Sequence, residues 1–176
     1  MELDHIARLI IFTVLCAGFA FSLAAGGDLP QVGQKAPSVT LPSQDGSKVS
    51  LKDFRGKWVV LYFYPKDNTP GCTIEAHNFQ RDLAKYQEKN AVILGVSVDS
   101  SASHQDFCTK QSLTFKLLAD TEKKVVAEYG SLSERGFASR NTFLIDPKGK
   151  IVKVWTGVKP SEHSEEVLAT LSELQK

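Results

Sequence analysis

The chain has 176 residues, enough for one domain with a short extension and enough to bury a core without disulfide or metal staples. Its formal net charge is +1 and no run of Lys or Arg stands out, which argues against nucleic acid or an acidic polymer as partner. Three cysteines, Cys16, Cys72 and Cys108, are too few for a disulfide scaffold and are not spaced as zinc ligands, so no metal and no cofactor are expected.

The N-terminus differs from the rest. Leu9 through Ala25 carries no charge, follows Arg8, and ends near Ser22-Leu23-Ala24, a small-x-small pattern of the kind cleaved after export. It lacks the polar face of an amphipathic helix. Thr13-Val14-Leu15 lacks the small residues that precede a lipid-modified cysteine, so Cys16 is not read as a lipoprotein anchor. Residues 1–25 are therefore expected to be a signal peptide or a retained membrane anchor, and 26–31 a linker. The domain, 32–176, is then exported, to the periplasm, and meets a membrane only through that segment.

Within the domain, Ser38–Leu41 and Lys48–Leu51 alternate polar and apolar residues around Gln44-Asp45-Gly46, which predicts a hairpin. Trp58–Tyr64 is continuously apolar and suits a strand buried on both faces. After a loop from Pro65 to Gly71, Ala76, Phe79, Leu83 and Tyr86 recur at helical steps. Ala91–Val98 reads as a second buried strand. A helix over residues 101–112 follows, with Ser100, Ser101 or Ser103 as N-cap. Phe115–Leu118 is a short strand and Glu122–Tyr129 a helix. Thr142–Ile145 and Ile151–Trp155 flank the turn Asp146-Pro147-Lys148-Gly149. A last helix begins near Pro160, with Ser161 as N-cap. Alternating strands and helices that finish on a hairpin and a helix give an α/β three-layer domain with a mixed sheet. His5, His77, His104 and His163 form no spaced cluster and are expected to be solvent-side or incidental.

Cys72 follows the loop that leaves a buried strand, and it opens a helix. The first helical turn has backbone N–H groups without partners and the positive end of the dipole. A thiolate is stabilised there, and the thiolate is the nucleophile. Pro70 suits the helix start. The Thr69 hydroxyl, three residues before the sulfur, could hydrogen-bond the thiolate or a substrate oxygen. On these grounds alone, a packed, inert cysteine explains the position equally well.

Leu61 through Thr73, LYFYPKDNTPGCT, resembles the active-site signature of the peroxiredoxins, Pro-x-x-x-Thr/Ser-x-x-Cys, matched by Pro65, Thr69 and Cys72. The fuller string resembles the bacterioferritin-comigratory, or PrxQ, subgroup. Arg140 through Asp146 is similar to that family's arginine-bearing strand. The resemblance spans about Val32 to Lys176. It implies a thioredoxin-like fold with a central mixed sheet and an N-terminal β-hairpin. It also implies a thiol peroxidase acting on hydrogen peroxide and organic hydroperoxides. Pro65 would shield the sulfur, Thr69 would orient the peroxide, and Arg140 would sit beside Cys72 and bind the oxygens. Glu75 could hold Arg140.

Peroxide leaves the attacking cysteine as a sulfenic acid that must be captured before it over-oxidises. Many members of the subgroup carry the resolving cysteine five residues after the first. Here that residue is His77. Cys108 is the remaining partner within the domain, and some members of the subgroup place the resolving cysteine in the corresponding helix. An internal Cys72–Cys108 disulfide needs Cα atoms within about 7 Å, so local unfolding around both cysteines is expected during turnover. If Cys108 is instead a buried hydrophobe, an external thiol resolves the sulfenic acid. The expected partners are a peroxide and a thioredoxin-like or other dithiol reductant, and the expected state is monomeric. A thiol–disulfide oxidoreductase would need Cys-x-x-Cys, which Cys72-Thr73-Ile74-Glu75 does not supply. A peroxide sensor or relay remains open, since it would use the same sulfenic acid.

Overall fold

The computed structural model describes residues 27–176. The expected export segment and Cys16 lie outside them. Among the described residues no helix is long and apolar enough to cross a membrane. Gly27 and Leu29 lie against the helix at 124–128: the Gly27 N–H donates to the Ala127 carbonyl, and Leu29 packs on the core below.

Strands β1 (Thr40–Pro42) and β2 (Lys48–Ser50) form the N-terminal antiparallel hairpin, with Leu41 opposite Val49. A 3-10 turn, Leu51–Phe54, is closed by a capping box between Ser50 and Asp53. The main elements are β3 (Trp58–Phe63), α1 (Pro70–Arg81), α2 (Leu83–Glu88), β4 (Ala91–Ser97), α3 (Ser101–Gln111) and β5 (Lys116–Ala119). They continue with α4 (Lys124–Glu128), β6 (Asn141–Ile145), β7 (Ile151–Thr156) and α5 (His163–Leu174).

The sheet order is β5-β4-β3-β6-β7. Strands β3, β4 and β5 run parallel, whereas β6 is antiparallel to β3 and β7 to β6. The fold is thus the expected thioredoxin-like α/β arrangement with a mixed sheet. Central β3 explains its own sequence. Val60 and Tyr62 face the core shared with α1, α2, α3 and α5, while Val59, Leu61 and Phe63 face the hairpin and α4. Both faces are dry, so the run is apolar throughout. Gly95, opposite Tyr62 in β4, makes room for that phenol: a Cβ there would lie 2.7 Å from Tyr62 Oη.

Three local expectations are corrected. The helix through Ala76 and Tyr86 is two helices, broken at Asp82. The Asp82 carboxylate is buried and accepts hydrogen bonds from Arg81, Lys85 and Ser164 Oγ, chiefly Arg81, which hold it down at about 2. A short side chain that competes with the backbone for partners favours such a break. Helix α5 starts at His163, and its N-cap is Glu162 without a side-chain cap bond, so Ser161 does not cap it. Ser100 is the N-cap of α3, its Oγ accepting from the Ser103 N–H. Finally, His77 is exposed, but His104 and His163 are fully buried and hydrogen-bonded, not solvent-side. A helical repeat that also carries Phe107 and Cys108 turns His104 inward.

Candidate active site

The β3–α1 loop delivers Cys72 to a helix start by local means. Asn68 takes a left-handed φ of 57°, Thr69 is extended at φ −97° and ψ 148°, and Pro70 occupies the first helical turn. The N–H groups of Gly71 and Cys72 therefore lie where a helix leaves donors unpaired. The Thr69 hydroxyl donates to the Lys66 carbonyl at 2.9 Å. Its proton is committed, and it can offer a ligand only its lone pairs. Pro65 is half-buried at the head of the same loop.

Arg140 comes from far along the chain. Because β6 runs antiparallel to β3 with Thr142 opposite Tyr62, the residue before β6 lies beside the end of β3, where the loop to Cys72 begins. Its Nη2 donates to Cys72 Sγ at 3.2 Å, and its Nη1 donates to Glu75 Oε2 at 2.6 Å. Cys72 and Glu75 are buried, and the guanidinium is 20% exposed. Burial pushes the Glu75 carboxyl up to about 7, against the opposing pull of Arg140. Sulfur and carboxylate are thus joined through the guanidinium, with the cation between them. Such a site stabilises an anionic sulfur and any negative charge that develops on an atom beside it.

Cys108 lies on α3, and it belongs to the same buried core as Cys72 and Tyr62. Both cysteines are free thiols. Burial, reinforced by the Asp67 charge, pushes the Cys108 thiol up to about 11. The structure thus brings Cys72, Arg140 and Glu75 into direct contact, keeps Thr69 and Pro65 on the adjoining loop, and leaves Cys108 on another helix. Among the described residues no cluster suits a metal ion.

The sequence reading missed a second polar group behind the loop. Tyr64 Oη donates to Asp67 Oδ1 at 2.7 Å, and Ser103 Oγ donates to Asp67 Oδ2 at 2.7 Å. His104 Nδ1 lies 2.8 Å from Asp67 Oδ2. Asp67 is kept below the usual carboxylate range: burial pushes it up, but the His104, Tyr64 and Ser103 contacts outweigh it. The available signal was the spacing of His104 four residues before Cys108, on one helix face.

Comparison with known proteins identifies the family. The AhpC/TSA family model matches residues 32–154. The chain is 45% identical over 148 residues to the putative peroxiredoxin bcp of Helicobacter pylori J99, covering 80% of this chain and 97% of that protein. It is 42% identical over 153 residues to peroxiredoxin Bcp of Bacillus subtilis, covering 83% and 98%. A solved structure of a PrxQ variant from Xylella fastidiosa superposes with a TM-score of 0.81 at 36% identity, covering 85% of this chain and all of that one. The chain belongs to the AhpC/TSA family and, within it, to the Bcp/PrxQ peroxiredoxins, enzymes that reduce peroxides with a cysteine thiol.

Proposed function

We propose that Cys72 is the peroxidatic residue and that Cys108 resolves it. The observation that carries the first half is the hydrogen bond from Arg140 Nη2 to Cys72 Sγ at 3.2 Å, at a helix start. The Cys72 thiolate attacks the nearer oxygen of hydrogen peroxide or an organic hydroperoxide. The S–O bond forms, the O–O bond breaks, and the leaving oxygen departs as water or an alcohol after taking a proton. Arg140 donates to the oxygens as charge moves onto the leaving one. Thr69, with its own proton held by Lys66, accepts from the peroxide O–H. Pro65 limits water at the sulfur, and Glu75 fixes the guanidinium.

The product is a Cys72 sulfenic acid. Cys108 attacks it, forming the S–S bond and releasing the sulfenic oxygen as water. In the folded arrangement the Cys108 thiol is buried and protonated, with a pKa of about 11, so this step requires local opening of α3 and of the first turn of α1. A thioredoxin-like dithiol then attacks the disulfide, passes through a mixed disulfide, and leaves as its own disulfide. The enzyme works as a monomer. The uncharged Leu9–Ala25 run directs it across the membrane, and a reporter fused after Gly27 should be active only outside the cytoplasm.

Intact mass after one equivalent of peroxide tests the scheme. A loss of two hydrogens, with peptides joining Cys72 to Cys108, is expected. A persistent gain of one oxygen or a covalent dimer would refute internal resolution. Rapid oxidation with negligible turnover on a dithiol protein would instead mark a sensor.

A further inference from the structure

The two cysteines are each flanked by one partner of a single buried polar pair. Asp67 lies five residues before Cys72 on the loop that feeds α1, and His104 lies one helical turn before Cys108 on α3. Their side chains meet at 2.8 Å, both nearly without solvent access. Ser103 adds a second bond from α3 to the same carboxylate oxygen, and Tyr64 anchors the other oxygen from the end of β3. The loop before Cys72 and the helix of Cys108 are therefore joined by buried hydrogen bonds to one charged carboxylate, beside an exposed bond from Asn68 Nδ2 to Asp106 Oδ2 at 3.3 Å. Such bonds are stronger than neutral ones and cost most when one partner is left buried alone.

One further atom matters. With Nδ1 turned to Asp67, His104 Nε2 is buried and has no hydrogen-bond partner. Opening α3 would hydrate that nitrogen, which offsets part of the lost pairing.

We propose that Asp67 and His104, with Ser103, form a latch that holds the Cys72 loop to the Cys108 helix, and that its opening sets the rate of disulfide formation. These are positioning residues: none touches Cys72 or Arg140. The inference rests on the reading of Cys108 as the resolving cysteine. The step it controls is balanced, with Cys72 S–OH and Cys108 S–H giving one S–S bond and one water. A tight latch prolongs the sulfenic acid and exposes it to a second peroxide; a loose one protects it.

The test is rapid quenching of full-length protein after mixing with peroxide, followed by alkylation and peptide mass spectrometry to count sulfenic acid, disulfide and sulfinic acid. Ser103→Ala, a change at a half-exposed hydroxyl, removes one of the bonds. His104→Leu removes the buried ring contact at similar volume and leaves the exposed Asn68–Asp106 bond in place. His104→Asn keeps an amide donor for Asp67. Disulfide formation should be about tenfold faster in Ser103→Ala and about tenfold or more in His104→Leu, the scale expected for losing a hydrogen bond to a charged group. The His104→Asn rate should return toward wild type. The first oxidation should be unchanged in all three, and the sulfinic fraction at excess peroxide should fall as disulfide formation accelerates. Val126→Ala, a cavity against α4 in the core on the opposite face of the sheet, should leave the disulfide rate alone. The latch is wrong if Ser103→Ala and His104→Leu form the Cys72–Cys108 disulfide no faster than wild type. It is equally wrong if Val126→Ala accelerates it as much. Failure of the wild type to form that disulfide at all marks the different fault, in the assignment of Cys108, and removes the latch with it.

Discussion

Gly71 leaves space for the Arg140 guanidinium: a Cβ at residue 71 would stand 2.8 Å from Nη2, the nitrogen that donates to Cys72. The backbone at Gly71 is ordinary helix, so this glycine serves clearance and not conformation. Arginine side chains can usually swing aside, but here Nη1 is bound to Glu75 and Nη2 to the sulfur.

Gly71→Ala should therefore separate stability from activity. Alanine is the better helix former by about 1 kcal/mol, so the melting temperature should hold or rise. The second-order rate with peroxide should fall by about tenfold or more, since sub-ångström displacement of an orienting group is costly. Stopped-flow oxidation and thermal unfolding of the same sample check both halves. An unchanged rate would show that the guanidinium position does not matter.

Arg140→Ala should lower the peroxide rate by about 10²–10³-fold, the scale for removing one preorganised donor. Arg140→Lys should fall between, because an ammonium cannot bind Glu75 and the sulfur with two separate arms of one plane. The loss should appear in kcat/KM for peroxide and not in the reaction of the preformed disulfide with dithiol donor.

The two cysteines should give opposite phenotypes. Cys72→Ser should abolish peroxide consumption with the fold intact. Cys108→Ser should leave the first oxidation fast but cut turnover with a dithiol protein, and Cys72 should accumulate as sulfinic and sulfonic acid. Residual activity above a few per cent in Cys72→Ser would overturn the assignment.

His163 predicts an acid limb of stability. Its ring is fully buried, with Nε2 2.8 Å from Thr142 Oγ1, and burial lowers its pKa from 6.5 to about 4. The unfolded chain thus binds more protons than the native one between pH 6.5 and 4. Stability from this group is complete above 6.5 and is lost as pH falls through that window, by up to about 3 kcal/mol. Glu75 works in the opposite sense, since its raised pKa favours the native state below about 4.5 and loses that advantage as pH rises through 7. The His163→Gln variant should have a flatter acid limb than wild type in urea unfolding from pH 4 to 7. A Glu75→Gln variant should show a steeper one. Identical slopes in all three proteins would contradict both assignments.

The chain by itself determined whatever depends on neighbours in sequence. The apolar run at Trp58–Tyr64 marked a strand buried on both faces, because no polar side chain alternates with the apolar ones. The Thr69-Pro70-Gly71-Cys72 string marked a helix start carrying a thiol, because proline chemistry is local. The resemblance of Pro65–Cys72 to the peroxiredoxin signature then gave Arg140 its role. Only the tertiary structure decided what spans the fold. Antiparallel pairing of β6 with β3 put Arg140 against Cys72, 68 positions away in sequence. Burial in that setting raised Glu75 and Cys108, an effect that depends on surrounding atoms and not on residue type. The same holds for Asp82, whose partner Ser164 lies 82 positions on and helps break what periodicity presents as a single helix. It holds also for the partner of His104, since the helical repeat turns the ring inward but only the fold sets Asp67 against it. Periodicity reports which face of an element is apolar; it carries no information on which polar groups meet once those faces are packed.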